Sequence, residues 1–488
     1  MNILESQDTI CAIATAQGGA IGTIRVSGNK AIEITDRVFT PVGRNALPLA
    51  ERKAYTLAFG HIKNAQGEIV DEVLVSIFRT PHSYTGEDSI EISCHGSSYI
   101  LQQVTQLLID NGCRAAGPGE YTQRAFLNGK MDLSQAEAVA DLIASTSSAT
   151  HRLAMNQMRG GFSKELSVLR DKLLHLTSLM ELELDFSDHE ELEFADRSEL
   201  KEIVDSIEMV ISNLTNSFSI GNAIKNGIPV AIIGETNAGK STLLNSLLNE
   251  EKAIVSDIHG TTRDVIEDMM NINGTTFRFI DTAGIRDTDD TIESLGIERS
   301  FKKLEQAEIV LWVIDSREVK EQIAALAPKV LPRCQDKQLV IVLNKADKLP
   351  IITEHTSDIR SLIADHMHQL QATDDTLEPS LDTLHILPIS AKFKQGINDL
   401  QSLLVELAAI PELSQNDVVV TNIRHYQALT QALGSIRRVQ QGMDMYLSGD
   451  FISQDLRECL FHLAEIVGGE ITTDEVLGNI FKHFCVGK

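Results

Sequence analysis

The stretch Gly234-Glu-Thr-Asn-Ala-Gly-Lys240-Ser241 leaves the chain around it little choice of fold. Before it runs the apolar segment Pro229-Val-Ala-Ile-Ile, which reads as a buried parallel strand; behind it Ser241-Thr-Leu-Leu-Asn-Ser-Leu-Leu248 has apolar residues at helical spacing. Strand, glycine-rich turn and helix in this order are the context of a phosphate-binding loop. Along Asn237-Ala238-Gly239-Lys240-Ser241-Thr242, backbone N–H groups and the helix N-terminus point at phosphate oxygens. Lys240 adds charge, and the Ser241 hydroxyl can hold Mg²⁺.

Three later stretches specify the nucleotide. Asp281-Thr282-Ala283-Gly284 ends a predicted strand over 276–280. Its Asp can reach Mg²⁺ through water and its Gly N–H can meet a γ-phosphate. Asn344-Lys345-Ala-Asp347 ends a strand over 338–343, and the Asp347 carboxylate can accept two hydrogen bonds from guanine N–H groups that adenine lacks. Ser390-Ala391-Lys392 follows a strand over 385–389 and adds a third base-side contact. Each tetrapeptide is weak by itself. Together, in this order and each at a strand's carboxyl end, they predict a Ras-like α/β domain that hydrolyses the acid anhydride of GTP.

Where many such enzymes place a water-orienting Gln after Asp-x-x-Gly, this chain has Ile285, so hydrolysis must use another group. The first switch falls at Ile254-Val-Ser-Asp-Ile-His-Gly-Thr-Thr-Arg-Asp264, where a Thr hydroxyl can complete the Mg²⁺ shell. Asn237 carries a side-chain oxygen near the β–γ bridge. It either helps hold a monovalent cation where an arginine finger otherwise acts, or only tolerates the dihedrals of the turn.

At 488 residues the chain has room for about three domains. No apolar run reaches membrane-spanning length, and the first residues lack a basic region and an apolar core, so neither a membrane span nor a secretory signal is expected. Six scattered cysteines without a CxxC pair fit a reducing cytoplasm. A net charge of −26 argues against broad electrostatic binding of nucleic acid, so an RNA partner would need a local basic patch or a second protein.

The chain divides by pattern into 1–122, 123–220, 221–408 and 409–488. The first part reads as α+β, with strands over 21–26, 55–59, 73–78 and 89–93 and a helix over 98–110. Ser134-Gln-Ala-Glu137 has the form of a capping box ahead of an Ala-rich helix to about 158, and a second long helix spans 163–185. The acidic run over 181–205 reads as a solvated face. After the nucleotide domain, helical periodicity returns over 425–445 and 454–467. The GTPase domain is therefore read as inserted between two parts of one helical domain, the alternative being three consecutive beads.

The motifs Gly234-x-x-Asn-Ala-Gly-Lys-Ser241, Gly260-Thr-Thr-Arg-Asp264, Asp281-Thr-Ala-Gly-Ile-Arg286 and the final Phe484-Cys-Val-Gly-Lys488 resemble those of the MnmE (TrmE) family of tRNA uridine-modification GTPases. Tyr84-Thr-Gly-Glu-Asp88, Ala125-Phe-Leu-Asn-Gly-Lys130 and Asp132-Leu-Ser-Gln-Ala-Glu137 extend the resemblance over essentially the whole chain. It implies an N-terminal folate-binding domain that forms a homodimer, a helical domain from both flanks, and the inserted GTPase domain. It further implies a two-and-two complex with the flavoprotein MnmG. The pair would add an aminomethyl or carboxymethylaminomethyl group to C5 of the tRNA wobble uridine, from methylene- or formyl-tetrahydrofolate.

By matching position, the resemblance implies that Asn237, Ser256, the Ile258 carbonyl and Thr261 surround K⁺, and that Ser241 and Thr262 ligate Mg²⁺. Glu293 would orient the attacking water, in potassium-stimulated hydrolysis. Arg25, Glu87, Lys130 and Lys488 would contact folate, the cations suiting a glutamate tail and the carboxylate the pterin N–H edge. Cys485 would dock at the folate pocket as nucleophile or structural residue. Two departures stand out: His95-Gly96-Ser97 where the family often has His-Gly-Gly, and a long span over 347–390 read as a surface insertion. A competing reading is a ribosome-assembly GTPase that binds RNA, but no compact basic module is visible. A third is a dimeric scaffold whose GTPase gates a partner.

Overall fold

A computed structural model of the chain describes residues 8–16, 18–43, 46–185, 197–248, 268–280, 304–348, 355–371, 384–409, 417–469 and 487. It divides into two compact units: Met1–Ala144, Ala154–Thr215 and Ile423–Lys488 form one, and Ser145–Leu153 with Asn216–Asn422 form the other.

The first unit opens with a seven-stranded sheet in the order β3-β4-β5-β6-β2-β1-β7. Its strands are β1 (Ile10–Ile13), β2 (Ile21–Ser27), β3 (Phe39–Pro41), β4 (Thr56–Lys63), β5 (Ile69–Phe78), β6 (Ser89–His95) and β7 (Arg114–Ala115). All pairs are antiparallel except β1 with β7. Residues alternate along each strand: Ile24 and Val26 of β2 turn into a core with α1 (Ala31–Val38) and α2 (Ser98–Asp110), and Arg25 faces the other way. Gly96 passes so close to Gly19 that a Cβ would lie 1.8 Å from the Gly19 carbonyl oxygen. Ser97 beside it takes φ −65°, open to any residue, so the departure from His-Gly-Gly leaves the turn intact.

Helices follow: α3 (Glu120–Leu127), α4 (Leu133–Ala144), α5 (Ser148–Met158), α6 (Gly161–Asp185) and α7 (Arg197–Asn216). Two expectations are corrected here. The predicted helix over 134–158 is two helices, because Ser147 Oγ accepts from the Thr150 N–H (3.1 Å) and caps a new start. The capping box is not Ser134 with Glu137. Asp132 Oδ1 accepts from the Gln135 N–H (2.9 Å), and Gln135 Oε1 accepts from the Asp132 N–H (3.0 Å). Ser134 and Glu137 are buried instead. Much of the acidic run over 181–205 lies outside the described residues.

The second unit starts with α8 (Phe218–Asn226) and carries a six-stranded sheet. In chain order come β8 (Ile228–Ile233), α9 (Lys240–Leu248), β9 (Asp268–Ile272), β10 (Thr275–Ile280), β11 (Ile309–Asp315), α10 (Val319–Val330), β12 (Gln338–Asn344), α11 (His355–Gln371), β13 (Leu384–Pro388) and α12 (Ile397–Ala408). The order β13-β12-β11-β8-β10-β9 is parallel except for the last pair. Both faces are covered, which explains why β8 and β11 are buried at every residue. The span read as a surface insertion contains α11, whose Ile359 and Ile363 join the core with Trp312 and Leu384. Residues 372–383 of that span lie outside the described residues.

The chain returns to the first unit as α13 (Ile423–Asp444) and α14 (Gly449–Val467). Arg424 and His425 bind Glu137 of α4, 287 positions earlier for Arg424, with Arg424 Nε to Oε1 at 2.9 Å and His425 Nε2 to Oε2 at 2.7 Å. Burial alone would raise the Glu137 pKa. The His425 and Arg424 contacts outweigh it and bring the carboxyl down to about 2.

Candidate functional site

In the second unit those of the expected nucleotide residues that are described gather at the carboxyl ends of parallel strands, where open α/β sheets bind ligands. The loop from Gly234 to Lys240 joins β8 to α9, and Asn237 (φ +65°) and Gly239 (φ +100°) both take the left-handed region. A Cβ on Gly239 would fall 2.1 Å from Asn344 Nδ2, so this close approach requires glycine.

Asn344, 3% exposed, is the hub. Its Nδ2 donates to the Ala238 carbonyl (2.8 Å), and its Oδ1 accepts the N–H groups of Lys345 (2.8 Å) and Ala391 (3.1 Å). One side chain thus locks the phosphate loop, the end of β12 and the segment after β13. Ser390 Oγ donates to Asp347 Oδ1 (2.5 Å) and fixes the carboxylate expected to read guanine. Lys345 Nζ binds the Asn237 carbonyl (2.6 Å) and Asp315 Oδ2 (2.8 Å). Asp315 escaped the sequence reading, although a carboxylate closing an otherwise apolar strand is a signal. Hydrogen bonds from Arg317 and then Lys345 hold it well below the usual carboxylate range.

Lys240 Nζ rests on the carbonyls of Gly234 (2.9 Å) and Glu235 (2.8 Å) at the base of the loop, and burial lowers its pKa. Ser241 and Thr242 lie in the first turn of α9, and Lys392 Nζ lies 5.5 Å from the Phe393 ring. Asp281, Thr282, Ala283, Gly284, Ser256, Ile258, Thr261, Thr262 and Glu293 lie outside the described residues. The described loop fits a nucleotide's phosphates: with its glycines seated against Val313 and Asn344 it runs from the end of β8 into the N-terminus of α9, where backbone N–H groups suit anionic oxygen.

The N-terminal site belongs to the first unit. Arg25 of β2 donates from Nε and Nη2 to Glu91 Oε1 (3.0 and 2.8 Å) and from Nη1 to the Gly487 carbonyl (3.3 Å). Its guanidinium lies 5.4 Å from the Tyr84 ring and 5.6 Å from the Tyr121 ring, at cation–π range. Gly487 takes φ +96°, and a Cβ there would meet the Ile13 carbonyl at 2.5 Å, so the penultimate position must be glycine to dock. Two residues along the same face of β2, Ser27 Oγ donates to Glu87 Oε2 (2.8 Å). Lys130 Nζ donates to the Pro81 carbonyl (2.9 Å) in the same 79–88 loop that carries Glu87, and its stem lies against Gly86. Gly487 thus docks at Arg25, Glu87 is held by Ser27 on the same face of β2, and Lys130 lies against the loop that carries Glu87. Lys488 and Cys485 lie outside the described residues. Tyr84, Glu91, Tyr121 and Arg124 were missed. Tyr84 alone had a signal, its place in Tyr84-Thr-Gly-Glu-Asp88. Among the described residues no helix is long and apolar enough to cross a membrane.

Comparison with known proteins bears on both sites. A profile described as "GTP-binding protein TrmE N-terminus" matches residues 9–130, and one described as "MnmE helical domain" matches residues 133–485. Proteins named tRNA modification GTPase MnmE from Bacteroides fragilis and Bacteroides thetaiotaomicron are each 65% identical, over 484 and 483 residues, covering 99% of this chain and all of theirs. The namesake from Christiangramia forsetii is 48% identical over 492 residues, again covering 99% of this chain and 100% of its own. The chain belongs to the MnmE (TrmE) family of tRNA modification GTPases.

Proposed function

We propose that this chain couples GTP hydrolysis to one-carbon modification of the tRNA wobble uridine at C5, as a homodimer working with the flavoprotein MnmG in the cytoplasm. The observation that carries this reading is the Arg25–Gly487 contact. It brings a tail 462 positions away onto the face of β2 whose Ser27 holds Glu87, where the cations suit a glutamate tail and the Glu87 carboxylate, an acceptor, suits a pterin N–H edge. A GTPase that only hydrolysed nucleotide would have no use for such a pocket.

At the nucleotide site, GTP with Mg²⁺ supplies the anhydride and the charge on its oxygens. Lys240 can leave the loop carbonyls for the phosphates, Asp347 accepts the guanine N–H groups, and Asn344 holds both halves of the site in register. The net charge of −26 favours MnmG as the source of much of the RNA contact.

The test is mass spectrometry of tRNA nucleosides from cells lacking this gene, rescued with the intact chain or with Arg25→Met. The modified wobble uridine should vanish in the deletion, return with the intact chain and stay absent with Arg25→Met. Unchanged nucleosides in the deletion would overturn the reading.

A further inference from the structure

Glu87 is the expected partner of the pterin edge, and its orientation depends on a residue that no ligand in that pocket would touch. Arg124, in α3, has only 6% of its side chain exposed, against 25% for Glu87. Its Nη1 donates to both oxygens of Glu87 (3.2 and 3.3 Å) and to the Asp8 carbonyl (2.9 Å). Its Nη2 donates to Asp8 Oδ1 and to Glu120 Oε1, both at 3.0 Å. Glu120 is itself pinned, by the Arg114 guanidinium (2.6 and 3.0 Å) and by the Gly117 N–H (2.8 Å). The Arg124 fork is thus fixed from behind before it meets Glu87.

Two further restraints finish the arrangement. Ser27 Oγ takes one lone pair of Glu87 Oε2 (2.8 Å). The 79–88 loop is closed by Thr80 N–H to Asp88 Oδ1 (2.9 Å), Thr80 Oγ1 to the Gly86 carbonyl (2.8 Å) and Ser83 Oγ to the Glu87 carbonyl (2.6 Å). A carboxylate offers about four acceptor sites. Arg124 takes one site on each oxygen and Ser27 a second on Oε2, which leaves Glu87, a quarter exposed, with acceptor capacity for a ligand.

We propose that Arg124 is the positioning residue of the tetrahydrofolate pocket, acting through Glu87 rather than on the ligand. The inference rests on the folate reading above. Charged hydrogen bonds of this kind contribute enough that Arg124→Gln should weaken binding of 5-formyl-tetrahydrofolate about 10- to 100-fold. Arg124→Lys keeps the charge against Asp8 and Glu120 but not the fork, and should fall between wild type and Arg124→Gln.

The deciding experiment is a double-mutant cycle by titration calorimetry on the full chain: wild type, Arg124→Gln, Glu87→Gln and the double variant, each checked for a cooperative melt. If Arg124 acts through Glu87, the double variant binds no more weakly than Glu87→Gln alone. Where Arg124→Gln loses its cooperative melt, Arg124→Lys takes its place in the cycle. Losses that multiply would overturn the positioning role and leave the folate reading standing. A wild-type chain that does not bind 5-formyl-tetrahydrofolate would overturn both.

Discussion

The nucleotide site and the N-terminal site join distant segments of chain with opposite chemistry. At the first, the neutral amide of Asn344 ties the phosphate loop to the ends of β12 and β13. At the second, the Arg124 guanidinium ties α3, where it also holds Glu120, to Asp8 and Glu87. An amide donates and accepts at once and carries no charge to desolvate, so it suits a site whose ligand brings several negative charges. A guanidinium among carboxylates must be matched charge for charge, but it fixes an acceptor for a ligand that donates. In each case the hub is buried and the ligand-facing group is not.

The largest expected effect on ligand binding breaks the first hub. Asn344→Ala removes the bond to Ala238 and leaves the N–H groups of Lys345 and Ala391 without their acceptor. At about 1–3 kcal/mol for each buried donor left unpaired, GTP affinity should fall about 100- to 1,000-fold. Titration with a fluorescent GTP analogue reads it, and 5-formyl-tetrahydrofolate binding by the same variant should stay within about twofold. A GTP affinity within threefold of wild type would show that the loops hold their register without this amide.

Next comes the charged chemistry of the first unit, probed at Glu137. Replacing one partner of a buried ion pair costs about 3–5 kcal/mol, so Glu137→Gln should lower stability by that order in denaturant unfolding at neutral pH. The folded pKa of about 2 lies below the ordinary 4.5, so the ionised carboxylate stabilises the fold fully above pH 4.5. That contribution is lost as pH falls from about 4.5 toward about 2, and Glu137→Gln should flatten this part of the acid limb. A variant with the wild-type acid limb would mean that the Arg424 and His425 contacts are not formed in solution.

The two sites also differ in how legible they were. Asn344, Asp347 and Ser390 could be read from short stretches because each closes a strand whose apolar run is visible, and Lys240 because it completes the glycine-rich loop that follows such a strand. Asp315 could have been read the same way. The role of Arg124 could not, since Asp8 and Glu87 come from separate stretches that only the fold brings to it, and Glu120, four residues earlier, reads as an ordinary helical pair. Glu137 was misread for a related reason: its spacing from Ser134 fits a local cap, while its real partners lie in α13. Local periodicity also ran through 145–147, where one hydroxyl cap restarts a helix. The α/β and α+β classes, four strands of each sheet and helices such as α2, α6 and α13 followed from pattern; strands such as β1, β7 and β11 and the burial of charge did not.

Asn237 shows the smallest effect and the sharpest choice. Its φ of +65° supports the turn explanation, since asparagine tolerates the left-handed region better than most residues. Alanine there would confound strain with loss of the side-chain oxygen, whereas glycine takes the same dihedrals freely. Asn237→Gly therefore isolates the oxygen. If that oxygen helps hold K⁺ beside the β–γ bridge, the wild-type chain should hydrolyse GTP about tenfold faster in potassium than in sodium, and Asn237→Gly should be slow and equal in both. If Asn237 serves only the turn, the glycine variant should keep the wild-type rate and the wild-type salt response. The Lys345 Nζ contact reaches the backbone carbonyl of Asn237 and survives the substitution, so the loop keeps that anchor and the comparison reads the Asn237 side chain.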